Sequence, residues 1–216
     1  MNYILIVFVK NPVPGKVKTR VAATVGDEKA AEVYKALLNH TQTVILKWQE
    51  SSKPGVSKKA VIYYGDYIND NDLWSEPAFE KKIQIASPDL GVRMLSAFED
   101  ELSSEAPCRA VIIGSDCLAL RPEHLEEAFA ALEEQDIVIG PADDGGYYLL
   151  GMGRLYRFLF ENKPWSRPDL LEKTLADLKQ RESDPKSRLR YHLLETLSDI
   201  DTWEDYVRER KAADAF

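Results

Sequence analysis

"YILIVFVKNPVPGKVKTR", residues 3–20, decides how the rest of the chain is read. Its first seven residues are continuous, β-branched and aromatic, without polar alternation. That is the pattern of a strand buried on both faces of a parallel sheet. Pro12 and Pro14 end it. The loop that follows gathers Lys10, Lys16, Lys18 and Arg20, and no acid occurs before Asp27 in a chain of formal charge −8. Such a local excess of positive charge points to an anion met by this loop. The G-x-x-x-x-G-K-[ST] spacing of a P-loop is absent. What remains is either a phosphate-binding loop of another kind or a solvated loop with scattered lysines. In the first case Gly15 lets the backbone come close, while Lys18 and Arg20 answer two or more phosphates.

Working outward, the same buried-strand pattern recurs at 60–65 (AVIYYG), 109–114 (RAVIIG) and 136–140 (DIVIG). Shorter strands are expected at 82–86 (KIQIA), 147–151 (YYLLG) and 190–196. Between them lie helical patterns. One starts at about Asp27, a plausible N-cap, with the stripe Tyr34, Leu37, Leu38, Thr41, Val44, Ile45, Trp48 at the 3.6-residue period. Others start at Asp89, after Pro122, at Asp169 and at Thr202. Strands alternating with helices, with no linker or repeat, predict one α/β domain over residues 1–216 with a mostly parallel sheet.

The bulk composition narrows the function classes. A pI near 5.1 argues against nucleic acid or an anionic membrane as the main partner. The opening apolar run is too short to span a bilayer and makes a poor signal peptide. Two cysteines without a CxxC motif, and three histidines far apart, leave no disulfide framework or local zinc motif, so a reducing cytoplasm is the expected compartment.

Ligands of open α/β sheets bind outside the carboxyl ends of the strands. On that rule the basic loop shares a rim with Asp66, with "GSDC" (114–117) and with "PADDGG" (141–146). Asp116 directly follows a buried strand, as either a turn aspartate or the holder of a hard cation facing phosphates. In "DDGG" the two glycines are costly to order, which suggests close approach of backbone to a ligand unless they only form a turn. Asp143 or Asp144 then serves as general base or supports a metal. In "DIDTWEDY", Thr202 reads as a cap with Glu204 and Asp205 in the first turn, which leaves Asp199 and Asp201 unexplained. Gly91 and Arg93 stand at a helix start, and Arg93 is counted with the phosphate-binding cations. Tyr147, Tyr148 and Trp165 read as core or pocket walls, with Tyr147 placed on the substrate side.

Taken in order, "FVKNPVPGKVKTR", "DLGVRM", "IIGSDC", "GPADDGGYYLLG" and "DIDTWEDY" resemble a bacterial glycosyltransferase-like family long catalogued as a domain of unknown function. Its members are sometimes labelled as transferases associated with radical-SAM proteins or with arsenosugar biosynthesis. The resemblance runs from Phe8 to Tyr206. It implies the GT-A fold of the nucleotide-diphospho-sugar transferase superfamily, which also contains guanylyltransferases. By this resemblance Lys10, Gly15, Lys18, Thr19 and Arg20 wrap the nucleotide and its phosphates, and Asp116 holds Mg²⁺ or Mn²⁺. Asp144, Gly145 and Gly146 handle the acceptor or sugar, and Asp199 and Asp201 offer a second metal ligand. Where the family usually has Cys-Pro, this chain has Cys117-Leu118. The expected activity is metal-dependent transfer of a sugar from a nucleotide-diphospho-sugar to a small-molecule acceptor. The alternative is nucleotidyl transfer from a nucleoside triphosphate, with pyrophosphate leaving.

Overall fold

The computed structural model describes residues 1–103, 106–184 and 189–213. Seven strands form one sheet: β1 (Asn2–Val9), β2 (Ser57–Tyr64), β3 (Phe79–Ile83), β4 (Cys108–Ile113), β5 (Ile137–Pro141), β6 (Tyr147–Met152) and β7 (Tyr191–Leu193). Six α-helices accompany them: α1 (Thr19–Val25), α2 (Asp27–Glu50), α3 (Leu90–Leu102), α4 (Pro122–Ala131), α5 (Leu170–Glu182) and α6 (Trp203–Ala213). The strand order is β3-β2-β1-β4-β6-β5-β7, and only β6 runs against its neighbours. The carboxyl ends of the other six strands therefore share one rim, and the order reverses between β1 and β4.

The unbroken apolar run of β1 is explained by burial on both faces. Tyr3, Leu5, Val7 and Val9 belong to one core, and Ile4 and Ile6 to the other. In β4, Val111 and Ile113 join the first core, and Ala110 and Ile112 the second. The first core is closed by the apolar stripe of α2, every member of which is buried, and by Leu125 and Phe129 of α4. Phe129 stacks on Tyr3 at 4.6 Å and on Trp48 at 5.1 Å between ring centroids. The second core is closed by Met94 and Phe98 of α3 and Leu178 of α5.

Three local expectations are corrected. The strand expected at 82–86 lies at Phe79–Ile83, because this edge strand carries three charged residues in a row, Glu80, Lys81 and Lys82, and Ile83 and Ile85 stay half exposed. Asp27 does not cap α2; Gly26 does, at φ 84°, with no side-chain hydrogen bond. Thr19 and Arg20, expected in a loop, open the separate helix α1, whose short sequence buries only Val21. Two caps hold: Asp89 accepts from Val92 N, and Thr202 and Asp205 bond each other reciprocally at the start of α6. Among the described residues, no helix is long and apolar enough to cross a membrane.

Candidate active site

The basic loop leaves β1 at the point where the strand order reverses, and its shape is set by neighbours on the same rim. Asn11, which is buried, donates from its backbone N to Asp66 Oδ2 and from Nδ2 to Asp66 Oδ1, both at 2.9 Å. Lys10 N donates to the Tyr34 hydroxyl at 3.0 Å, which in turn lies 3.1 Å from Ser115 Oγ. Burial, with Asp116 nearby, pushes the Tyr34 phenol up to about 12, so it stays protonated in this network. The chain turns through Gly15 at φ 73° and then Lys18 at φ 47°, a left-handed conformation uncommon for a side-chain-bearing residue.

Lys18 is the centre of the arrangement. Its side chain is only 7% exposed, and Nζ bonds Asp116 Oδ1 at 2.9 Å and the Ile200 carbonyl at 2.6 Å. One buried cation thereby joins the end of β1, the end of β4 and the segment after β7. Arg20, on the solvent side, pairs with Asp201 at 2.7 Å. A cleft of about 450 Å³ opens here, with Lys16, Lys18 and Arg20 at one side and Gln84 and Arg93 at another. Arg93 donates from Nη1 to the neutral amide oxygen of Gln84 at 2.8 Å, while its Nε is buried without a hydrogen-bond partner. Burial pushes the Arg93 pKa down, as it must for a cation held against a neutral partner.

Opposite the cations lie the acids. Asp199 is half-buried, and its carboxyl is pushed up to about 7, first by burial and then by the charges of Asp116 and Asp144, with Lys18 opposing. The structure thus brings Asp116, Asp144 and Asp199 into one electrostatic group. Asp201 adds to the charge felt by Asp199 but is itself paired with Arg20, and Asp143 accepts a hydrogen bond from the Ser198 hydroxyl. Asp144 Oδ1 accepts from Gly146 N at 2.8 Å, which fixes the turn. Gly145 is required there: it sits at φ 85°, and a Cβ would lie 2.0 Å from the Pro168 carbonyl oxygen. The neighbouring thiol of Cys117 is pushed up to about 12 by burial and is no nucleophile.

Among the described residues, no three acids, histidines or cysteines converge as a ready metal cage. A phosphate-bridging Mg²⁺ or Mn²⁺ needs no such cage, since one or two carboxylates and the substrate's oxygens suffice. Asp199 is raised first by burial and then by Asp116, so one more positive charge would be favourable at this pair even beside Lys18. Asp116 and Asp199 therefore fit a divalent cation, and Asp201 is the less suited third candidate.

Sequence reasoning missed Asn11, Tyr34, Ser115 and Gln84. Tyr34 lies on the buried stripe of α2, and Gln84 is flanked by exposed isoleucines that mimic an ordinary strand. Only Asn11, wedged between the strand and Pro12, carried a readable signal.

Known proteins share this fold. A Desulfovibrio desulfuricans G20 protein, provisionally named a nucleotide-diphospho-sugar transferase, is 27% identical and superimposes with a TM-score of 0.77 over 99% of this chain and 95% of its own. A nucleotidyl transferase of Methanothermobacter thermautotrophicus shares the fold at TM-score 0.59 and 13% identity, over 97% and 96% of the two chains. A Mycobacterium tuberculosis H37Rv protein solved in complex with manganese shares it at 0.51 and 11%, over 98% of each. No curated protein matches the sequence. The fold is that of the nucleotide-diphospho-sugar transferases. Residues 51–167, more than half of the sequence, match one family model, and the chain belongs to that family, described as an uncharacterized protein conserved in bacteria (DUF2064).

Proposed function

We propose that the protein is a metal-dependent glycosyltransferase that moves a sugar from a nucleotide-diphospho-sugar to the hydroxyl of a small molecule. The observation that carries this reading is Lys18, a buried amine that ties Asp116 to the Ile200 carbonyl at the mouth of the cleft. The donor's diphosphate is placed against Lys16, Lys18 and Arg20, which stabilise the charge that builds on it as the glycosidic bond breaks. Mg²⁺ or Mn²⁺, held by Asp116 and Asp199, would add charge neutralisation at the leaving diphosphate. Asp144 is exposed and faces the acid group, where it orients the acceptor hydroxyl and takes its proton. Asp143, bonded to Ser198, holds the loop.

Nucleotidyl transfer is the second reading, favoured by Arg93. A guanidinium hydrogen-bonded to a neutral amide, with Asp89 as the nearby opposing charge, suits a third phosphate. The two reactions differ in what leaves: a nucleoside diphosphate or pyrophosphate.

Thermal unfolding against nucleoside diphosphates, triphosphates and nucleotide sugars, with and without Mn²⁺, tests both. A ligand at 100 times its Kd stabilises by about 2.7 kcal/mol, a rise of about 5–10 °C for a chain of this size. A Mn²⁺-dependent rise with a nucleotide sugar that is lost in Asp116→Ala supports sugar transfer, and preference for a triphosphate supports the second reading. An undiminished Mn²⁺-dependent rise in Asp116→Ala refutes the metal assignment.

A further inference from the structure

A second cavity, of about 160 Å³, adjoins the nucleotide cleft and shares Phe8, Leu90 and Gly114 with it. Its other walls are apolar or aromatic, chiefly Met94, Tyr147 and Trp165. Tyr147 and Trp165 meet edge to face, with ring centroids 6.2 Å apart. Trp165 is seated on α3 at Gly91, where a Cβ would come within 2.2 Å of its indole nitrogen. Two of the wall residues carry hydrogen-bonding atoms that are buried without a partner: the Tyr147 hydroxyl and Trp165 Nε1. Burial alone pushes the Tyr147 phenol up, so the hydroxyl keeps its proton as a donor.

An orphaned buried donor loses its hydration with nothing in return; Trp165 Nε1 is turned onto α3 at Gly91, so it is the Tyr147 hydroxyl that calls for an acceptor from outside the chain. Water is a poor candidate, because it needs acceptors for its own protons as well, and the side chains around this cavity supply few. The size is also diagnostic: an apolar cavity of about 150 Å³ accommodates benzene. Gly114 is shared by cavity and cleft and lies two residues before Asp116. A molecule seated here would therefore present its protruding end to the reacting centre.

We infer that this cavity is the subsite for the non-nucleotide substrate, and that it takes a planar six-membered ring bearing an oxygen or nitrogen acceptor. This rests on the transferase reading for its assignment to the acceptor side, whereas the presence of a ring-binding site does not. The substrate class is a phenol-like or heteroaromatic small molecule rather than an open-chain polyol, which would leave the apolar walls uncovered. Tyr147 positions the ring through its hydroxyl, and Trp165 covers it.

The probe is 4-fluorophenol, followed by fluorine NMR, with fluorobenzene as the analogue lacking an acceptor. At the efficiency of small fragments a saturable Kd of about 1 mM is expected. Loss of one neutral hydrogen bond weakens binding by about 2–10-fold, the effect expected both for fluorobenzene and for Tyr147→Phe. Met94→Phe, which fills the cavity, should abolish probe binding. Uridine and guanosine diphosphates with Mn²⁺ are titrated into the same samples and should bind both variants as they bind the wild type. Absence of saturable 4-fluorophenol binding, or equal binding by folded Met94→Phe, overturns the inference whatever the nucleotides do. Nucleotide binding lost in folded Met94→Phe also overturns it, since the cavity would then hold the base. Should Met94→Phe fail to fold, unchanged affinity in Tyr147→Phe is sufficient to reject it. If the probe binds as expected and no nucleotide does, the ring site stands but its assignment to a transferase acceptor falls.

Discussion

Replacing Asp199 by asparagine should make the protein more stable at neutral pH, the reverse of what removal of a site carboxylate usually brings to mind. In the folded protein its pKa is raised from 3.8 to about 7, by burial first and by Asp116 and Asp144 next. Well below pH 3.8 the group is protonated in both states and costs nothing. As pH rises from about 4 to about 7, the unfolded chain gives up the proton while the folded one retains it, so stability is lost across that window and stays lost above it. The gap between the two values corresponds to at most about 4 kcal/mol. About 2–3 kcal/mol of this should develop between about pH 5 and pH 8. Urea unfolding of wild type and Asp199→Asn at those two pH values isolates the contribution, because other titrating groups are common to both. The variant should gain on the wild type by that amount as pH is raised. Parallel stability profiles would show that the Asp199 carboxyl is not held in a cluster short of positive charge, and the metal-holding role would lose its main physical support.

Two further substitutions test how the site is built. Gly145→Ala places a Cβ against the Pro168 carbonyl at a positive φ; the left-handed conformation alone costs about 1–2 kcal/mol, and the clash should bring the measured loss in urea unfolding above that. Asp66→Ala removes both carboxylate oxygens that hold Asn11, and hydrogen bonds to charged groups contribute about 1.5–3 kcal/mol each. The variant should unfold at lower urea and bind pyrophosphate more weakly by calorimetry, whereas unchanged pyrophosphate affinity would mean that Asp66 does not shape the basic loop.

The parts of the fold legible in the sequence were those where one physical demand acts alone. Over Tyr3–Val7 of β1 and Ala110–Ile113 of β4 both faces are buried, so the residues there are apolar, and α2 shows its stripe because a long helix repeats its period several times. β3 was misplaced because an edge strand is half solvated, and its Glu80, Lys81 and Lys82 give no clean alternation. α1 escaped notice because it is short and is entered through Lys18 in a left-handed conformation, which no residue type announces. The charged members of the site were visible as unbalanced charge in the basic loop and as acids at strand ends. Their division of labour was not. That Asp201 faces Arg20 while Asp199 faces Asp116 depends on which way two residues point across a turn, and the sequence spacing leaves both arrangements open. The neutral members, Asn11, Tyr34, Ser115 and Gln84, look like ordinary strand, helix or turn residues until the rim is assembled.

The bond from Lys18 to the Ile200 carbonyl spans 182 positions of sequence, and this has a consequence in time. During synthesis at about 5–20 residues per second, the basic loop leaves the ribosome about 10–40 s before the segment that completes it. The lysine lacks both partners until Asp116 is made and one of them until Ile200 is, and β5 and β7, which carry the acidic turn and Asp199 to the rim, have yet to pair. A phosphate ligand can therefore do nothing for the early steps of folding. It can act only on the finished sheet, as a clasp fastened last, so that any nascent or truncated chain ending before Ile200 should be blind to nucleotide.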